Sequence, residues 1–282
     1  MQLTSALVNG RVTAVGIDPE RGFAELGRLR RPLPVSVLEV IGGIAPEEFS
    51  DRLAAEPDAS FTPVGEAVLL APYTSPRKIW GIGLNYTEHA DDLAAVHPDE
   101  PASFMKGDHT IIGPGDPIDL PEQSDRVTAE AELGLVFGAT CSVVEPDRAL
   151  DYLWGVCPVL DQTAEDILQR NPRFLTRSKN FPGFFSFGAI TPLHEVIARF
   201  GGLADIEVTT AKNGTPHRTN RVANMTFPPE LLISFHSKVF PWYPGDLLST
   251  GTPGAVPIED GDLAQCEIAG VGELANPVRR AR

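Results

Sequence analysis

The chain is short of several things, and each shortage narrows what it can be. It has three cysteines in 282 residues, Cys141, Cys157 and Cys266. They are odd in number and show no CxxC spacing, so neither a disulfide framework nor a zinc module is expected. Small buried thiols in a reducing, cytoplasmic setting are the expectation. No apolar run approaches the roughly 18 to 20 residues that a membrane helix needs. The opening MQLTSALVNGRV lacks a basic segment followed by a long apolar one, so no signal peptide is expected. Positive charge is also scarce. Lys and Arg total 23 against 38 Asp and Glu, a net charge of −15 with a pI near 4.8. That balance argues against binding nucleic acid or an anionic membrane, which takes basic patches. A small acidic substrate stays possible, because one lysine or one metal ion can reverse the field locally.

What is present is ordinary for a globular protein: 42% hydrophobic and 22% charged residues. Twenty-six glycines and 26 prolines imply many turns and few long helices. Residues 1–74 read as a small α+β unit. An Asn9-Gly10 hairpin signal opens it, a strand-like run follows from Val35, and a short helix starts near Ala45-Pro46. No catalytic cluster falls in this unit. Residues 75–282 carry everything that resembles chemistry.

The central stretch runs from Thr128 to Asp161. Strand side chains alternate between faces, so Glu130 and Glu132 share one face. Leu133, Leu135, Val136 and Phe137 follow and suit a buried strand. A Glu-x-Glu pair is most often the solvated face of an edge strand. On a buried face the two charges repel, and desolvation is costly. A divalent cation is the simplest relief. Asp161 ends a second apolar segment, WGVCPVLD. Three carboxylates without a His or Cys cluster describe a hard-cation site, Mg²⁺ first and Mn²⁺ or Ca²⁺ next.

Glu-x-Glu followed 29 positions after Glu132 (161 − 132) by Asp161 resembles the metal site of the fumarylacetoacetate hydrolase family. Other segments resemble that family in the same order. They are Asn85-Tyr86 leading to His89, the Gly113-Pro114-Gly115 turn, Lys179 with its following Gly188, and the string Tyr243 to Pro253 that holds Thr250-Gly251-Thr252-Pro253. The resemblance covers about residues 75 to 278. It implies a mixed, mainly-β fold, a β-roll of stacked sheets with short helices, plus the small N-terminal α+β domain. It also implies a homodimer, and Glu130, Glu132 and Asp161 as metal ligands.

The resemblance assigns further roles. His89, with Asp92 three residues on, would be the general base, its imidazole oriented by the carboxylate. Lys179 would stabilise an enolate or oxyanion. Thr252 would face substrate. Lys106 would either contact substrate or cap a strand, the second being the simpler reading, and the remaining histidines read as solvated or locally hydrogen-bonded. Glu165 stands where the family commonly has an arginine, and Pro182 where it has an aspartate. Together with Gln169, Glu165 belongs to a helix or lid expected to bind substrate, and its charge should repel a free carboxylate. The expected activity is metal-dependent cleavage of a C–C bond in a 1,3-dicarbonyl or 2,4-dioxo acid through a metal-stabilised enolate. Isomerisation, tautomerisation or decarboxylation of a related oxo acid is the alternative. A non-catalytic ligand-binding member is the third reading.

Overall fold

The computed structural model describes residues 1–86 and 99–280. An N-terminal sheet forms first. Strands β1 (Gln2–Val8) and β2 (Arg11–Asp18) pair as a hairpin, and β3 (Gly22–Glu25) and β4 (Val68–Leu70) complete the order β3-β2-β1-β4. Asn9 and Gly10 at the turn have φ of 50° and 78°, as the Asn-Gly signal requires. A helix spans Pro46–Ala54 with its proline in the first turn. The run after Val35 is not a strand: Val37–Gly43 is helical. Val37, Val40 and Ile41 are its buried residues. That i, i+3, i+4 set presents one apolar face, and tertiary packing overrides the β preference of valine and isoleucine.

Among the described residues, the second sheet has nine strands. Its path is β6 (Ala102–Lys106), β5 (Ile79–Gly83), β15 (Leu247–Ser249), β9 (Val127–Phe137), β10 (Leu153–Ala164), β11 (Phe185–Phe187) and β7 (Ile111–Ile112). Off that path, β12 (Thr191–Pro192) pairs with β10, and β16 (Ala255–Ile258) pairs with β9. A third sheet runs β14 (Thr215–Arg221), β13 (Glu207–Lys212), β17 (Leu263–Ile268), β18 (Gly272–Arg280) and β8 (Ile118–Leu120). This is a mainly-β architecture of curled, mixed sheets with short helices, as the sequence leads one to expect.

The long antiparallel ribbon of β9 and β10 is the spine. Its register sets Glu130 opposite Asp161 and Glu132 opposite Val159. Asp161 therefore lies inside β10, which continues to Ala164, and does not end it. One face of the ribbon, with Ala129, Ala131, Leu133, Leu135 and Leu160, enters the largest apolar core together with residues of the third sheet such as Val208 and Cys266. The other face contributes Val136, Cys157 and Val159 to a second core, shared with Leu3, Phe49 and Leu53 of the N-terminal region. The three cysteines are buried and unbonded. Among the described residues, no helix is long and apolar enough to cross a membrane.

Candidate metal centre

The alternation that buries Leu133 and Leu135 on one face turns Glu130 and Glu132 to the other, and the ribbon register brings Asp161 beside them. The three carboxylates offer oxygens within 4.8 Å of one another. Asp161 and Glu132 are fully buried, and the Glu130 side chain is 12% exposed. Three carboxylates this close are tolerable only with cations among them or a proton kept on one of them.

Two lysines supply that charge. Lys179, at the end of the helix Leu175–Lys179, donates to Glu130 Oε2 at 2.9 Å and to Asp161 Oδ2 at 2.7 Å. Burial works against its charged form. The charges of Asp161, Glu130 and Glu132 outweigh that penalty and hold the ammonium above its ordinary range. Lys106, the last residue of β6, pairs with the other oxygen, Asp161 Oδ1, and reaches Gln162 O at 3.4 Å. Lys106 is therefore no strand cap. It is buried in the cluster, where burial pushes it down to about 8 against the pull of Asp161.

The ends of β15 and β10 fix the glutamates. Ser249 Oγ and the Gly251 amide both donate to Glu132 Oε2, at 2.5 and 2.8 Å. Both described donors fall on that one oxygen. Burial, then the charge of Asp161, raises Glu132 to about 8. Gly251 adopts φ 96°, and a Cβ there would stand 2.8 Å from Asn85 Cβ, so this amide position needs glycine. Asn85 ties the loop down from outside by donating to Thr250 O at 2.8 Å and Phe227 O at 3.0 Å. Thr163 and Thr128 hydroxyls both donate to Glu130 Oε1. Tyr86, next in chain to Asn85, is fully buried, and its phenol oxygen has no hydrogen-bond partner among the described residues. Burial and the charge of Glu132 raise its pKa.

The structure thus gathers Glu130, Glu132, Asp161 and Lys179, and adds Lys106, Ser249 and Gly251, which sequence reading missed. A lysine ending a short strand carries no mark of burial in sequence. His89 and Asp92 lie outside the described residues. The Thr252 hydroxyl bonds within its own loop to Gly254 and sits 3.4 Å from Thr210 Oγ1. Its polar contacts do not run to the carboxylates. Glu165 and Gln169 also turn elsewhere. Glu165 pairs with Arg126 and accepts from Gln169 Nε2 at 3.0 Å. The repulsion expected of Glu165 is offset by that arginine. Nor does Pro182 leave Lys179 without an ion-pair partner, since Lys179 holds two carboxylates. His236 is locally hydrogen-bonded, as expected, and not solvated. It is buried beside Trp80, Phe235 and Phe240, with Nδ1 2.8 Å from Leu232 O.

Fold and cluster together define a mainly-β protein with a buried acidic triad that could hold a divalent cation. The family model for the fumarylacetoacetate (FAA) hydrolase C-terminal domain matches residues 78–279, and the chain belongs to that family. The mitochondrial oxaloacetate tautomerase fahd2 of Xenopus laevis is 34% identical over 219 residues, 74% of this chain and 68% of that protein. The 5-carboxymethyl-2-hydroxymuconate delta-isomerase of Mycobacterium smegmatis superposes with a TM-score of 0.76 at 29% identity, with both chains fully covered. A fumarylacetoacetate hydrolase from Exiguobacterium antarcticum superposes with a TM-score of 0.85 at 26% identity, again over both full chains.

Proposed function

We propose that the protein transfers a proton on an enolisable oxo acid or 1,3-dicarbonyl compound, as a tautomerase or isomerase. The observation that carries this reading is the convergence of two buried ammonium groups on a buried carboxylate triad. Such a site favours a ligand that gains negative charge on oxygen.

Glu130, Glu132 and Asp161 would hold the cation, with Mg²⁺ first and Mn²⁺ or Ca²⁺ next. The donor set fits, because the ammonium of Lys179 already lies against both Glu130 and Asp161, so that position stabilises positive charge. When bound, a hard divalent ion supplies charge that polarises the ligand's oxygens. Lys179 keeps its proton among the carboxylates and would donate a hydrogen bond to the oxygen that becomes negative. Lys106 holds Asp161 from the opposite side and fixes its orientation. His89, oriented by Asp92, would take the proton from carbon and return it to a neighbouring atom. Low dielectric around the buried pairs strengthens each contact.

Relatives with a stated activity include a tautomerase at 34% identity and an isomerase at 29%. The second reading is C–C hydrolysis, favoured by the likeness to the hydrolase from Exiguobacterium antarcticum. In it His89 would activate water instead of abstracting a carbon-bound proton. Isotopes separate the two. With oxaloacetate and a panel of 2,4-dioxo acids, the proposal expects solvent deuterium on carbon and no ¹⁸O from water in a new carboxylate. Stoichiometric ¹⁸O in a cleaved carboxylate product would replace it with hydrolysis.

A further inference from the structure

The two lysines of the cluster come from segments far apart in sequence, yet one side chain joins them. β6 lies at the end of its sheet and pairs with β5 alone among the described residues. Its outer edge therefore presents backbone groups with no neighbouring strand. Asn180 fills that edge beside Lys106. Its Oδ1 accepts from the Gly107 amide at 2.8 Å, and its Nδ2 donates to Met105 O at 2.9 Å. Bonding the carbonyl of one residue and the amide two residues on is what a single residue of a parallel strand does. The Asn180 amide thus acts as one rung of a missing strand. The same Nδ2 donates to Thr176 O at 2.7 Å, closing the last turn of the helix that ends in Lys179. His109 Nε2 lies 3.0 Å from the Asn180 carbonyl and adds a second tie between the two segments.

We propose that Asn180 is a positioning residue that sets Lys106 and Lys179 as one unit on the two oxygens of Asp161. That this unit serves catalysis rests on the function proposed above; that it exists does not. Residues 105 and 107 are held at the strand edge, so Lys106 is directed inward to Asp161 Oδ1. Residues 176 to 180 are held against the same edge, so Lys179 reaches Asp161 Oδ2. Without the amide, the helix end and the strand edge lose their shared hydrogen bonds, and the lysines lose their fixed separation.

The test uses the full-length protein with Asn180→Ala and Asn180→Asp. Asp keeps the acceptor for the Gly107 amide and loses the donor to Met105. Acetylation by an N-hydroxysuccinimide ester, followed residue by residue by mass spectrometry, reports how well each lysine is held. In Asn180→Ala, Lys106 and Lys179 are expected to react about ten times faster than in wild type, with Lys212 and Lys238 unchanged. Asn180→Asp is expected to fall between. Unchanged rates at Lys106 and Lys179 overturn the proposal, and so does an equal rise at all four lysines, which is general loosening. A second readout is binding of oxalate, a planar dianion shaped like the enolate of an oxo acid, in the presence of Mn²⁺. Asn180→Ala is expected to weaken it about tenfold. If wild type binds neither Mn²⁺ nor oxalate, the proposed function falls, and the labelling alone decides the role of Asn180.

Discussion

Along β9, Ala129, Ala131, Leu133 and Leu135 enter an apolar core, while Glu130 and Glu132, between them in sequence, face two lysines and Asp161. One face of the ribbon is thus apolar, and the other combines apolar packing with the charge cluster. The apolar face supplies burial free energy at roughly 25 cal/mol per Å². The carboxylates of the other face, which share it with Val136, Cys157 and Val159 of the second core, offer little net stability, because desolvating buried ions offsets much of their attraction. They persist for what they can hold. Stability and chemistry are separated here by a single residue step, the period of the pleat.

The sharpest way to break that contrast is to alter one residue on each face. Asp161→Asn removes the carboxylate shared by both lysines. It is expected to cut turnover about 10³-fold or more, as steady-state rates on an oxo-acid substrate would check. Leu133→Ala, on the opposite face of the neighbouring strand, should leave the cluster's chemistry nearly intact at a temperature where the protein stays folded. Its effect is expected in stability, about 2 to 5 kcal/mol, read from urea unfolding. If Leu133→Ala instead lost activity while keeping stability, the division between faces would be wrong.

A smaller effect sharpens the electrostatic side. In metal-free protein, burial keeps Glu132 protonated up to about 8, whereas the unfolded chain releases that proton near 4.5. The folded state therefore binds a proton that the unfolded state gives up. The stabilising contribution is complete below the unfolded value and is lost as pH rises through the folded one. Glu132→Gln lacks this linkage. Urea midpoints in the presence of EDTA should show wild type losing ground to the variant from about pH 5 to about pH 8, then running parallel. A gap independent of pH would mean that Glu132 is ionised in the metal-free fold.

Sequence was informative where a local rule decided the outcome. The pleat's alternation predicted that Glu130 and Glu132 share a face, and Asn9-Gly10 forms the expected turn, with positive φ at both residues. The pairing of Glu130 with Asp161 depends on ribbon register across a long connection, and resemblance to the family, not periodicity, pointed to it. Lys106 was misread because its burial follows from sheet order and from the helix that ends at Lys179, neither of which is written near residue 106. Ser249 was missed for the same reason: its hydroxyl matters only because β15 pairs with β9. Val37–Gly43 shows the converse, a run of strand-forming residues made helical by the core beneath it.

The central claim is that Glu130, Glu132 and Asp161 together bind a divalent cation. Anomalous diffraction from crystals soaked in Mn²⁺ tests it most directly. The account predicts one strong peak bridging oxygens of all three residues, absent from crystals of Asp161→Asn. No peak there at saturating Mn²⁺, with the three carboxylates still in their metal-free hydrogen bonds and ion pairs, would contradict it.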